Sequence, residues 1–483
     1  MVVALCLPWE AARAWERLDG FVAEALNSHP RIAEAQARAE AARYGYEEAY
    51  GFFDPGLTLS GGWSDEARAL PGTTAIDAPA NDAAEVGASL DVPVRPGFYF
   101  SIGAVSRRYA GEAGYDPLYQ SLFGVGVRIP LLHDRGFRLW DLDRLRLLAD
   151  YDRALSGCLA ERQQLRHEVE LAVVNLCESA ALCGITRQAT GRAETLLADT
   201  RNLVEHQAIA EYQVLPAQME VDLGKADELA AQQAFEVARY RLQELLAGRE
   251  VPGVEEIGSD WVAAAARLEL RRGLDVASCC RDRGGYLELL HERLRTELSV
   301  RYETEQRRGD LSLSLAGTLQ GEDGDWPLVA HNHLSAQTAG GHVMLVYRRT
   351  LGWRAENSRI GQHESRIREI GAGLQRFELE LSRELLGSTA RFDLARQQFE
   401  QASRAAESAR RSLDAEKERF QLGESRSRDV LDAQNDFTRA VRQQTAAAAG
   451  VLRAWADHRF AAGYPEDPVI HDGMVPAGNR ARP

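Results

Sequence analysis

Val430–Gln434 reads VLDAQ, and Val214–Gln218 reads the closely similar VLPAQ, 216 residues earlier. Each copy lies inside a long stretch with the apolar periodicity of an α-helix. The helical pattern ends at small residues about thirty positions beyond each copy, at Leu246–Gly248 (LAG) and Ala461–Gly463 (AAG). A repeat of this length is not a short solenoid unit, so we predict two internal repeats of one helix–strand–helix module.

Two segments have the composition and alternation of β-strands. Between residues 56 and 130, Gly, Pro and aromatic residues are frequent and short runs alternate in polarity. In the second segment, about residues 310–350, Leu311–Leu315 (LSLSL) echoes Leu57–Gly61 (LTLSG) of the first. Such alternation is typical of strands. We predict about two long strands in each half, and an extra hairpin in the first half is the alternative, because runs also occur at Val86–Leu90 and Phe98–Ile102.

Four long helices are predicted from apolar spacing and from the scarcity of proline. They cover about residues 138–209, 216–248, 353–422 and 428–460. The first and third would each be about 100 Å long at a rise of 1.5 Å per residue. Helices of this length bury too little against a compact core, so we expect them to pack side by side as coiled coils.

The predicted domain arrangement follows the two repeats. Val2–Leu7 is an apolar run and Ala12–Ala14 has the small-x-small pattern of a cleavage site, so residues 1–14 are interpreted as the end of a truncated signal segment. The remaining boundaries are these: repeat 1 at 15–255 (strands about 56–130, long helices about 135–248), repeat 2 at 256–465 (strands about 310–350, long helices about 353–463), and a tail at 466–483.

Composition argues against two classes of protein. The net charge of −15 is unfavourable for a protein whose main partner is nucleic acid. No stretch approaches the roughly 18–20 uninterrupted apolar residues of a transmembrane helix. A β-strand, however, needs only about 9–11 residues to cross a bilayer, so the hydropathy pattern leaves a membrane barrel open.

No catalytic constellation is present in the sequence. The best candidate metal cluster is His331 and His333 with His342 nearby, but Gly324 and Pro327 indicate a loop there. No glycine-rich phosphate loop occurs. We therefore predict a protein that is not an enzyme and that needs no metal or cofactor.

The strands leave one question of fold open. Four strands in one chain cannot close a barrel, and unpaired strand edges in a bilayer are costly. Either several chains contribute to one transmembrane barrel, or the strands form a soluble sheet whose edges are covered within the chain.

Four motifs, in order along the chain, carry a family resemblance. They are Phe21–Pro30 (FVAEALNSHP), Val127–Leu132 (VRIPLL), its looser counterpart Val343–Arg354, and Phe420–Gly423 (FQLG) followed by Asp429–Gln434 (DVLDAQ). Across nearly its whole length the chain resembles the TolC family of outer-membrane efflux and secretion channels.

The resemblance implies an α+β membrane protein with a long α-helical coiled-coil barrel and a transmembrane β-barrel completed by oligomerisation. In that family three protomers each give four strands to a twelve-stranded barrel. The implied location is the outer membrane with a periplasmic extension. The implied role is the passive exit duct of a tripartite efflux or type I secretion system. The implied partners are two further copies in a homotrimer, a periplasmic adaptor protein, an inner-membrane pump of the RND or ABC type, and outer-membrane lipid.

The resemblance also implies roles for residues near the second repeated motif. Asp429 and Asp432 correspond to two acidic rings at the pore constriction. The periplasmic tip, expected to contact the adaptor, is formed by Phe420, Gly423, Ser425, Arg426, Val430 and Leu431. Phe420 stands where the family has a tyrosine, and Ser425 where it has an arginine. In the first repeat Gln207 stands at the position of the tip glycine and Gln213 at that of the aspartate, so that tip has diverged.

Two other classes are compatible with part of the pattern. A soluble coiled-coil scaffold with a small β-domain explains the long helices, although it does not explain why both strand clusters occupy corresponding places in the two repeats. A periplasmic adaptor combines helical hairpins with β-domains, but one hairpin rather than two in tandem is expected there.

The pore-ring assignment is testable by substitution. Asp429→Ala combined with Asp432→Ala removes two carboxylates per chain, six in a trimer, from a narrow opening, so we expect higher conductance or weaker cation preference. Single-channel recordings in planar bilayers measure both quantities. Unchanged ion selectivity would contradict the assignment.

Overall fold

The computed structural model describes residues 9–67, 80–95, 97–109, 118–206, 210–251, 260–323, 339–422 and 424–465. Most of the predicted signal segment (residues 1–8), the tail (466–483), His331 and His333 lie outside the described residues. The same holds for Gly423 and Gln207, which were expected at the two helical tips.

Nine α-helices and six β-strands make up the described residues. In chain order they are α1 Trp9–Ser28, α2 Pro30–Glu48, β1 Gly56–Ala67, β2 Ala80–Val94, β3 Phe98–Tyr109, β4 Leu118–Pro130, α3 Arg138–Glu205, α4 Val214–Leu245, α5 Asp260–Arg267, α6 Val276–Asp282, α7 Gly284–Gln306, β5 Asp310–Asp323, β6 Ala339–Arg348, α8 Arg354–Gln421 and α9 Ser427–Ala462. Helices α3 and α8 have 68 residues each. Short 3₁₀ turns lie at Ala49–Phe53 and Glu211–Gln213.

The chain divides into two compact units that cut across the predicted repeats. The helical unit takes the described residues of 1–39, 152–290 and 372–483, and the sheet unit takes those of 40–151 and 291–371. Each unit therefore draws on both halves of the sequence. The predicted boundary near residue 255 separates the halves along the chain and does not separate the compact units.

The first core of the helical unit lies between α1, α3 and α4. Leu26 on α1, Leu165 and Val169 on α3, and Leu242 on α4 are all buried in one cluster. Within α3, one 18-residue window is long and apolar enough for a membrane span by composition, and half of that window is buried inside the protein. Packing against other helices thus accounts for much of its apolar surface.

The second core of the helical unit relies on small residues. Ala448, Ala449 and Val451 on α9 are fully buried beside Phe392 on α8 and Trp261 on α5. Alanine has the highest helix propensity and lets neighbouring helix backbones approach closely. The alanine run of α9 therefore favours the helical conformation and also permits close packing between the helices.

A buried polar network joins α3 to the end of α9. Glu170 accepts hydrogen bonds from Arg166, Arg459 and the Tyr464 hydroxyl, each at 3.0 Å. Both Glu170 and Tyr464 are almost fully buried, and desolvation, followed by the charge of Glu170, raises the pKa of Tyr464 well above its usual value. Gly463 adopts φ +81° and ends α9, which brings Tyr464 back into the core.

The sheet unit contains one antiparallel sheet with the strand order β1-β2-β3-β4-β5-β6. The first half of the chain supplies four strands and the second half supplies two. Six strands per chain exceed the four that the family resemblance implies. The difference arises because Val86–Leu90 and Phe98–Ile102 form the hairpin β2–β3, which was the alternative expectation from the sequence.

An aromatic cluster lies at the end of the sheet where β3 begins and α3 starts. Phe52 and Phe137 lie 5.1 Å apart by ring centroid, and Phe137 lies 5.1 Å from Tyr99. The Trp140 indole donates a hydrogen bond of 2.6 Å to the carbonyl of Ala49. These contacts fix the chain entering β1 and the chain leaving β4 to the same end of the sheet.

The turn between β2 and β3 packs against this cluster through the close approach of two glycine backbones, Gly97 and Gly136. Gly97 has φ +125°, which L side chains rarely adopt, and a Cβ added there would lie 2.4 Å from the Cα of Gly136. We expect Gly97→Ala to destabilise the sheet unit by at least about 2 kcal/mol, from backbone strain and steric overlap together.

Chemical unfolding followed by tryptophan fluorescence measures the effect of Gly97→Ala. Gly62→Ala on β1 is the matched control, since a Cβ there meets no atom within 4 Å. Equal stability of the two variants would show that the Gly97–Gly136 approach carries no constraint.

Candidate functional site

One face of the sheet is mainly apolar on all six strands, with Ser106, Arg108 and Ser121 as polar exceptions towards one end. The register places Leu57, Leu90, Ile102 and Val125 side by side in one row. Further residues of this apolar face are Leu59 and Trp63 on β1, Val86 on β2, Phe100 on β3, Val127 on β4, Leu313 and Leu315 on β5, and Val343 and Leu345 on β6. Leu59 is 74% exposed and Leu345 63%. An apolar surface of this extent marks a contact with lipid or with another protein.

A groove crosses the apolar face between β1 and β5. It has a volume of about 980 Å³, and Leu59, Val86, Ala104 and Phe123 line it. Its lining is mostly aliphatic and aromatic, with Ser106, Ser121 and Arg108 among its polar members. Leu59 and Val86 are exposed, and no described element of the sheet unit covers them, so this surface is available for a partner from outside the unit.

The opposite face is polar and is rich in small residues. Thr58, Ser89, Gly103, Gly124 and Thr318 form one row across the first five strands. Glu85 and Arg107 are paired across β2 and β3 at 2.8 Å on this polar face. Val105, Leu122, Met344 and Val346 are apolar exceptions. The two faces thus have the alternation of strands that separate lipid from water.

Aromatic side chains lie towards both ends of the apolar face. Trp63 and Tyr119 lie on one level at the end of the sheet away from the start of α3, and Phe98 and Tyr347 lie near the end where α3 starts. From Phe98 to Arg108, β3 extends about 34 Å, which at the usual tilt corresponds to about 26 Å along a membrane normal. That height matches the apolar band of a transmembrane barrel.

Both edges of the sheet are open within the described residues. β1 pairs only with β2, and β6 pairs only with β5. Each edge strand therefore presents a row of backbone N–H and C=O groups without a strand partner. In water such edges can be solvated, but in hydrocarbon they require another strand.

At the start of α9, in the helical unit, the structure brings together several of the predicted tip residues. The carboxylate of Asp429 accepts a hydrogen bond of 3.1 Å from the backbone amide of Arg426, so Asp429 caps the helix. The Asp432 side chain is exposed. Asp429 therefore has a structural role that the sequence analysis did not assign, although an acidic residue in the first helical turn is a recognisable signal.

The other predicted tip residues divide into buried and exposed groups. Val430 and Leu431 are buried with Leu196 of α3, and Phe420 packs against them. Ser425 donates a hydrogen bond to Glu416, and Arg426 is exposed. The buried pair can therefore act on a partner only by positioning residues such as Phe420.

Sequence reasoning missed a surface at the first tip. Tyr212 and Leu215 are each 70% exposed. They line a groove of about 560 Å³ together with Arg201 and Val204. Leu215 belongs to the repeated VLPAQ motif, and its counterpart Leu431 is buried, so the motif itself did not distinguish the two environments.

Two further apolar surfaces lie along the long helices. They are formed by exposed large side chains at helical spacing, Met219, Leu223, Leu229, Val237 and Tyr240 on α4, and Leu379, Leu386 and Leu394 on α8. Among the described residues no cluster of His, Cys, Asp and Glu could hold a metal ion.

The capping role of Asp429 predicts a local effect. Asp429→Ala removes the acceptor for the Arg426 amide and should destabilise the first turn of α9 by about 1 kcal/mol. Hydrogen exchange of the amides between residues 426 and 431 measures this. Asp429→Asn keeps an acceptor and Asp432→Ala removes no cap, so neither should increase exchange. Increased exchange in Asp432→Ala would contradict the assignment.

Comparisons with known proteins give a structural match alone. No protein-family model matches the sequence, and no curated protein matches it. CusC, described as forming a transmembrane channel, has a TM-score of 0.68 at 14% identity and covers 92% of each chain. The outer membrane protein VceC of Vibrio cholerae has a TM-score of 0.65 at 14% identity over 93% of this chain and 96% of its own. The open outer membrane channel MtrE of Neisseria gonorrhoeae has a TM-score of 0.65 at 16% identity over 92% of this chain and 89% of its own.

The match extends over both the helices and the sheet, since it leaves less than a tenth of the chain uncovered. The likeness to the TolC family that the sequence motifs predict is therefore confirmed at the level of the fold: the chain has the fold of the TolC-like outer-membrane channels.

Proposed function

We propose that this protein is an outer-membrane channel with a periplasmic helical extension, and that it serves as the passive exit duct of an efflux or secretion system. The observation that carries the proposal is the six-stranded sheet, which is apolar on one face, polar on the other and open at both edges. No enzymatic step and no cofactor enters this function.

The sheet supports a membrane location because its two faces need two different solvents. The apolar face would contact lipid and the polar face would line a water-filled lumen. In hydrocarbon every backbone group must be paired, and each unpaired group costs several kcal/mol. An open six-stranded sheet therefore becomes stable in a bilayer only when its edges pair with other copies.

A homotrimer meets this requirement in the proposed assembly. Because the sheet has an even number of antiparallel strands, β6 of one copy can pair in antiparallel fashion with β1 of the next. The exposed apolar side chains of α4 and α8 supply surfaces for contact between the helices of neighbouring copies. The same cyclic symmetry would then close both the sheets and the helices.

The tip at the start of α9 is proposed as the periplasmic entrance. In three copies, Asp429 and Asp432 would supply six carboxylates around the opening, which favours cations. Arg426 and Ser425, with Phe420 supported by Val430 and Leu431, would face a periplasmic adaptor protein. Gly423, which lies outside the described residues, is proposed for the same contact from the sequence alone. An inner-membrane pump of the RND or ABC type would supply the energy, and cargo selection would lie mainly with that pump.

A soluble coiled-coil scaffold is the alternative function. It would require another protein surface to cover the apolar face and both sheet edges. The aromatic side chains towards both ends of that face, separated by about the height of a bilayer core, favour lipid as the covering phase. We therefore place the scaffold second.

Membrane fractionation of the protein, expressed from its native upstream region, tests the proposal. We expect recovery in the outer membrane as a trimer that resists mild detergent. Recovery in the soluble cytoplasmic fraction, with the authentic start confirmed, would leave the scaffold function.

Two neighbouring positions on β5 give a matched pair for the same experiment. Leu315 lies on the apolar face and Ser314 on the polar face. Leu315 shares a row with Phe100, between the midplane and one end of the apolar band. Leu315→Arg should therefore cost about 1–3 kcal/mol and reduce the recovered trimer, whereas Ser314→Arg should be tolerated in a water-filled lumen. Equal losses in both variants would contradict the orientation of the sheet.

A further inference from the structure

The hairpin β2–β3 lies in the middle of the sheet. It is inserted between β1 and β4, with twelve paired positions to β1 and eleven to β4. The hairpin therefore adds two strands to the width of the sheet, and β1 cannot pair with β4 while it is present. If the hairpin lay at an edge of the sheet instead, β1 and β4 could pair directly and the other four strands would form a sheet of the same width with or without it.

The hairpin has the same two faces as the rest of the sheet. Val86 and Ile102 lie on the apolar face, while Asp91 and Ser101 lie on the polar face and are directly paired. A hairpin with water on both faces would expose its apolar side chains at a cost in free energy. This alternation indicates that β2 and β3 separate lipid from lumen, as the other four strands do.

The turn of the hairpin is fixed at the end of the sheet where α3 starts. Gly97 lies against Gly136, and the Arg95 guanidinium packs over the rings of Phe53 and Trp140, at 4.8 and 5.3 Å from their centroids. The hairpin is thus anchored where β1 begins and β4 ends. Its strands, of 15 and 12 residues, exceed the roughly 9–11 residues that cross a bilayer.

We propose that three copies of this chain close an eighteen-stranded barrel, whose exit is wide enough for macromolecular cargo delivered by the pump. This inference rests on the proposed function. At a strand spacing of about 4.8 Å and a tilt of about 40°, eighteen strands give a backbone diameter of about 36 Å, against about 24 Å for twelve.

Small residues form the middle rows of the polar face at the hairpin. Gly87, Ser89, Gly103, Gly124 and Gly126 all lie on the polar face. With about 5 Å of side chain on each wall, a free width of about 25 Å remains, whereas one α-helix is about 10–12 Å across. The exit is therefore wide enough for a polypeptide passing as a looped or helical chain.

Polymer exclusion measures the width of the exit. The purified channel is placed in a planar bilayer, and polyethylene glycols of graded size are added only on the side of the outer loops. Polymers that enter the barrel lower its conductance, and the largest that does so gives the width of the mouth. We expect a cut-off of about 20–25 Å for the full chain.

A variant lacking the hairpin, with residues 80–109 deleted, supplies the narrow comparison. Its cut-off should be smaller by at least 1.5-fold. Deletion of residues 327–336, which connect β5 to β6, is the matched control and should keep the wide cut-off. A full-length cut-off below about 15 Å, the range of twelve strands, would overturn the inference.

The mass of the full-length oligomer in detergent gives a second measurement, which does not depend on the folding of the deletion variant. Three copies support eighteen strands. Two copies, which hold twelve strands, would overturn the inference while leaving an outer-membrane channel. Failure of the full chain to insert into outer membranes or bilayers would instead overturn the proposed function.

Discussion

The pairing of backbone hydrogen-bonding groups in a hydrocarbon phase is the constraint on which the rest of this molecule depends. The described part of one chain supplies six paired strands and leaves the outer edges of β1 and β6 without a strand partner. If the apolar face meets lipid, as we propose, only other copies of the chain can satisfy those edges. Pairing between copies also affects the helices. When the strands of neighbouring copies pair, the exposed apolar side chains of α4 and α8 can be buried between those copies.

The helical unit is stabilised by different means from the sheet unit. Its cores combine alanine-rich contacts on α9 with a buried charged network around Glu170, whose carboxylate is shared by two arginines and a tyrosine. Removing one partner from such a network leaves another charge buried without compensation, which usually costs several kcal/mol. The network thus fixes the end of α9 against α3, and the two strand-bearing halves of the chain are held together there.

Much of the fold was predictable from local pattern, and much of the site was not. Period-two alternation located the strands, including the runs at Val86–Leu90 and Phe98–Ile102, but alternation does not reveal whether a hairpin lies inside a sheet or at its edge. The motif VLDAQ located the turn before α9, yet it did not reveal that Leu431 is buried whereas Leu215 is exposed. The burial of each leucine depends on which other helix packs against it. The capping bond of Asp429 was predictable from its place in the first turn of α9. The division into units was not, because long-range packing leaves no local signal.

The interleaving of the two halves in both units has a consequence for the order of events during folding. The last strand of the sheet ends at Arg348, and Tyr464 completes the buried network of the helical unit. Neither unit can reach its final structure until these late segments of the polypeptide are available. Folding is therefore dominated by contacts between residues far apart in the chain, which is intrinsically slow. During that delay the apolar strands are exposed, so the newly made chain needs protection from aggregation before assembly.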